Sequence, residues 1–160
     1  MRLRHTQSAV VTLSFVAALS LAGSGDAPAA ALTASITIPI SGIVDGQPES
    51  VSLSGNLLIE STLVQDPLLT TPKERLTFKL VSVTGVGMTS GQKYVATGED
   101  RLLRLLALSD HLDLMFPFYR QSDGPRSART AMASITLKFD LVSGAVTGAT
   151  ATFTSPKLPG

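Results

Sequence analysis

Ala133–Thr154, ASITLKFDLVSGAVTGATATFT, is the stretch whose reading decides the fold class. Ala133, Ile135, Leu137, Phe139 and Leu141 alternate with Ser134, Thr136, Lys138 and Asp140. Successive side chains of a strand point to opposite faces, so this period of two puts one set in a core and the other in water. Ser143-Gly144 supplies a turn, and Ala145–Thr154 returns as a second strand, which makes a hairpin.

Upstream the same pattern recurs. In His111–Tyr119, HLDLMFPFY, Leu112, Leu114, Phe116 and Phe118 point inward, while Asp113, Met115, Pro117 and Tyr119 point outward. Ala34–Val44 places Ile36, Ile38 and Ile40 on one face; Pro39, which has no N–H for a ladder, predicts an edge strand. Val51–Leu63 is a long strand with a bulge or bend expected at Gly55. After a proline-bearing loop at Asp66–Glu74, RLTFKLVSVTGV begins another strand, which glycines from Gly85 to Gly91 are expected to interrupt before Lys93–Thr97. RLLRLLAL, Arg101–Leu108, fits one or two helical turns or a buried strand, and its turn-bounded length of eight favours the strand. The sum is an all-β domain of seven or eight strands, an antiparallel β-sandwich or small β-barrel.

The N-terminus has a different grammar. Arg2, Arg4 and His5 precede the uncharged apolar run Ala9–Gly23, and small residues lead to Ala29-Ala30-Ala31. That order predicts a helical, cleavable signal peptide at residues 1–31 and a single exported domain at 32–160. The apolar run has 15 residues, against the roughly 20 a membrane-spanning helix needs, so no span is expected after cleavage. Removing Arg2, Arg4 and Asp26 from 13 basic and 12 acidic residues leaves 11 of each. A neutral domain lacks the basic patch that nucleic acid requires. With no cysteine, disulfides and thiolate metal sites are excluded, and a bacterial exported domain held by packing alone is expected. The signal itself leaves periplasm, cell surface and medium open.

Chemistry-bearing residues are sparse. Ser109-Asp110-His111 are consecutive, so their side chains do not converge as a triad must. His111 and Asp113 share a strand face, two groups where zinc takes three or four. No helix follows GVGMTSG to complete a phosphate loop. No catalytic set, metal site or cofactor is predicted. The cluster that stands out is cationic. Arg120, Arg126 and Arg129 crowd one loop, Arg101 and Arg104 precede the adjoining strand, and Tyr119 is free to meet a ligand beside them. Such a set suits a carboxylate, sulfate or phosphate. The expected function is non-enzymatic binding of a small molecule, a glycan or a surface protein. A small-barrel hydrolase or isomerase and an assembly subunit pairing through edge strands are the alternatives.

Overall fold

The computed structural model describes residues 33–64 and 71–156; the expected signal peptide lies outside the described residues. Eight strands follow in order: β1 (Thr33–Val44), β2 (Val51–Val64), β3 (Lys73–Gly87), β4 (Lys93–Ala96), β5 (Glu99–Leu105), β6 (Ser109–Arg120), β7 (Arg129–Phe139) and β8 (Val146–Thr154). Seven of them close a barrel in the order β1-β2-β3-β4-β6-β7-β8, and β5 is an additional strand on β3. The chain is therefore a barrel. One pairing departs from the antiparallel expectation: Ile40, Ser41 and Gly42 of β1 run parallel to Ala151, Thr152 and Phe153 of β8. An odd number of strands that alternate in direction leaves its first and last members pointing the same way, so a seven-stranded closure contains one parallel seam.

Alternation fills the interior. Leu53, Leu57 and Ile59 of β2, Leu76 and Phe78 of β3, Phe116 and Phe118 of β6, Ile135 and Leu137 of β7 and Phe153 of β8 are all buried. Volumes are matched across the β6–β7 ladder, where Leu114 faces Ala133 and Phe116 faces Ala131. Such small-to-large complementarity lets a narrow barrel pack to the density of a protein core. Polar Ser52, Ser54, Lys79, Asp113 and Lys138 face outward. This polarity is the reverse of a transmembrane barrel, whose outer band is apolar. Among the described residues no helix is long and apolar enough to cross a membrane.

Gly55 marks a bulge, as expected, but the extra residue belongs to β3. The register shifts between Ser54 and Asn56 of β2, and the facing Ser82 takes φ 52°. A Cβ on Gly55 would lie 2.6 Å from the Val83 Cα, so only glycine lets the strands approach there. Four expectations are corrected. β3 runs through Gly85 to Gly87 without interruption, since a Cβ on Gly85 would press on Leu53 and one on Gly87 would overlap the Glu49 carboxylate. β1 is not an edge throughout: Thr33–Pro39 pairs with β2 alone, and the parallel seam starts one residue after Pro39. Leu141 has left the alternation for the β7–β8 turn, where it is exposed because Asp140 Oδ1 accepts the Val142 and Ser143 N–H groups and ends the strand. β5 is a strand, but a largely exposed one.

Candidate functional site

The two ends of the barrel differ in chemistry. At one end the β1–β2 turn meets the β3–β4 turn through a single carboxylate. Glu49 Oε2 accepts the backbone N–H groups of Thr89 (3.0 Å) and Ser90 (2.8 Å), and Oε1 accepts the Ser90 and Tyr94 hydroxyls. The Ser90 hydroxyl, followed by the Ser90 N–H, outweighs the cost of burial and holds this carboxyl down at about 2. Arg129 clasps the same turn, with Nη1 donating to the Glu49 carbonyl and Nη2 to that of Asp45; its guanidinium lies 4.8 Å from the Phe118 ring. Arg120 lies over Tyr94 at 5.9 Å and reaches Asp123 at 3.7 Å. Two of the arginines singled out in the sequence are thus brought to this end, each engaged by its own neighbours.

The remaining members lie apart. Arg126 is exposed on the short 3-10 turn Pro125–Ser127, and Tyr119 sits half-buried on the outer face of β6, opposite Val95. Arg101 is on β5, paired with Glu99 at 2.6 Å. Arg104, further along β5, holds Asp110 in a bidentate pair, with Nε to Oδ2 at 2.8 Å and Nη2 to Oδ1 at 3.0 Å.

Cross-strand register brings one further group together. His111 and Asp113 of β6 face Thr136 and Ser134 of β7 on the outer surface. Ser134 Oγ donates to Asp113 Oδ1 at 2.7 Å and lies 3.3 Å from His111 Nε2, while His111 Nδ1 meets Thr136 Oγ1. In a nucleophilic triad the acid orients the histidine and the histidine takes the hydroxyl proton. Here the acid itself accepts the hydroxyl's hydrogen bond, and His111 is more than half exposed. This arrangement is a surface hydrogen-bond ladder. Among the described residues no group of three His, Cys, Asp or Glu side chains is placed to hold a metal.

The uncommitted surface lies around β5. Backbone hydrogen bonds fix its orientation: Leu80 N–H donates to the Gly98 carbonyl and Leu106 N–H to that of Pro72. Hydrogen-bonded partners recur at every second residue of an antiparallel pair, so Asp100, Leu102 and Arg104 direct their backbone groups at β3. Glu99, Arg101, Leu103 and Leu105 direct theirs away from it. On that side β6 pairs with β4 only at Phe118–Arg120, and β5 itself has no ladder partner among the described residues. Between β5 and β6 opens a cleft of about 430 Å³ lined by Leu103, Arg104, Leu105, Ala107 and Asp110. Leu103, Leu105 and Leu108 are 53, 62 and 68% exposed. Acids blunt part of this edge: Asp100 Oδ1 accepts the Arg101 N–H, and Asp110 Oδ1 accepts the His111 N–H.

The fold and this site define an all-β protein, a closed seven-stranded barrel with one additional strand, β5, that pairs with β3 on one edge and carries exposed leucines. Comparison with protein-family models, with curated proteins and with solved structures found no match.

Proposed function

We propose that this chain is an exported, non-enzymatic binding domain whose partner is another polypeptide, met at the exposed leucines of β5 and the turn after it. The observation that carries this reading is where the apolar side chains have gone. The interior is occupied by the barrel's own Phe, Leu and Ile side chains, and depressions of about 350 and 430 Å³ lie open on the surface. A small-molecule site is typically an enclosed apolar pocket with a few convergent polar groups. Large apolar side chains gathered on one exposed surface, here Leu103, Leu105 and Leu108, are instead what a protein partner covers. Export rests on the basic, apolar and small-residue order of residues 1–31.

Native mass spectrometry of the protein recovered after export tests this. The expected species begins at Leu32 and carries polypeptide partners, or multiples of itself, without a small-molecule adduct. A stoichiometric non-peptide adduct on the monomer would overturn the binding mode, and a chain still beginning at Met1 would overturn export.

A further inference from the structure

We infer that the polypeptide met at these leucines is acidic, and that it docks through carboxylates and apolar side chains on the outer face of β3 and β5. This deepens the reading above and rests on it. Residues directly opposite in an antiparallel pair share a face, so the register sets this surface row by row. Lys73 stands beside Leu105, Arg75 beside Leu103, Thr77 beside Arg101 and Lys79 beside Glu99. On the other flank of β3, β2 contributes one charge, Glu60, opposite Thr77. Four cations thus meet two carboxylates here, in a chain whose net charge is +1. Glu99 is spent on Arg101 at 2.6 Å. Among the described residues the ion pairs involve none of Lys73, Arg75 and Lys79.

A column of cations therefore runs for about 20 Å along β3, and a column of leucine lies about 5 Å to its side on β5. What covers such a face must offer both chemistries at that spacing. Exposed ion pairs contribute little each, so the leucines supply the buried area while the charges select the partner and speed its approach. An anionic membrane fits less well. Lysine and arginine side chains are longer than leucine, so on a shared face their charges stand above the leucine methyl groups, and a bilayer meets them first. Carboxylates of a polypeptide pair with these charges while neighbouring apolar side chains reach between them to Leu103 and Leu105, which are 53 and 62% exposed. Docking on the face also leaves the Arg104–Asp110 pair across the cleft as it stands.

The probe is a short amphipathic peptide of leucine and glutamate, compared with the same peptide carrying lysine in place of glutamate, with binding followed by nuclear magnetic resonance. The glutamate peptide should bind at least about tenfold more tightly, and should weaken at least about tenfold between about 50 and 500 mM salt. It should shift the amides of Arg75, Lys79, Leu103 and Leu105. Arg75→Glu combined with Lys79→Glu, both at exposed positions, should reverse the preference between the peptides and leave the circular dichroism unchanged. Equal affinity for the two peptides, or shifts confined to other strands, would overturn the acidic partner. If the double reversal changes nothing while Leu103→Ser abolishes binding, selection by charge fails and polypeptide binding at the leucines stands; if Leu103→Ser changes nothing, that reading fails as well. No binding of either peptide at millimolar concentration overturns the inference, and attachment to phosphatidylglycerol vesicles in that case assigns the face to lipid.

Discussion

Replacing Gly42 by alanine is expected to cost at least about 3 kcal/mol of stability, at or beyond the upper end of ordinary overpacking. The barrel's parallel seam consists of three residue pairs, Ile40–Gly42 against Ala151–Phe153. A Cβ on Gly42 would overlap the Phe153 carbonyl, so β1 and β8 must separate at the place where the sheet closes on itself. Phe153 is a buried core residue, and moving its backbone disturbs the packing of both neighbouring strands. Gly148 of β8 is the matched control, because a Cβ there meets no atom within 4 Å. Gly148→Ala should change stability by less than about 0.5 kcal/mol. Urea unfolding followed by circular dichroism measures both, and equal midpoints for the two variants would contradict closure at this seam.

The second large effect is a dependence on pH set by Glu74. This inward residue of β3 is 1% exposed, and its Oε1 has no hydrogen-bond partner among the described residues. Burial pushes its carboxyl up from 4.5 to about 7, against a smaller opposing pull from the Ser61 hydroxyl. The charged residue directly across from it on β5, Arg104, is engaged with Asp110; across on β2 stands Leu63. Between pH 4.5 and about 7 the folded chain holds a proton that the unfolded chain has released. Stability therefore falls as pH rises through this window, by on the order of 3 kcal/mol in all, and levels off above it. Glu49 has the opposite sign: its depressed carboxyl stabilises the fold above the ordinary carboxylate range, and that contribution is lost as pH falls toward about 2. Denaturant midpoints should peak near pH 4.5 to 5. Glu74→Gln should flatten the upper limb alone, and an unchanged slope in that variant would remove Glu74 from this role.

Period-two alternation made the barrel wall legible, since it reports which face is buried without requiring knowledge of the partner strand. Gly55 was legible as a bulge for a local reason, the absence of a Cβ between two ladders. The uninterrupted run of β3 was not, because what Gly85 and Gly87 make room for, Leu53 and the Glu49 carboxylate, is some 30 to 40 residues away in sequence. The arginine cluster was read from proximity along the chain, and strand direction carries Arg104 toward the end opposite Arg129. The apolar outer face of β5 did leave a trace in the sequence. Leu102-Leu103 and Leu105-Leu106 break the alternation, which places leucine on both faces of one strand.

Amide hydrogen exchange along β5, followed by nuclear magnetic resonance, tests the unpaired edge most directly. At high dilution the Leu102 and Arg104 amides, bonded to β3, should exchange slowly while those of Leu103 and Leu105 exchange fast. Equal protection of all four amides would mean that β5 is paired on both edges within one chain, and would contradict the open cleft between β5 and β6.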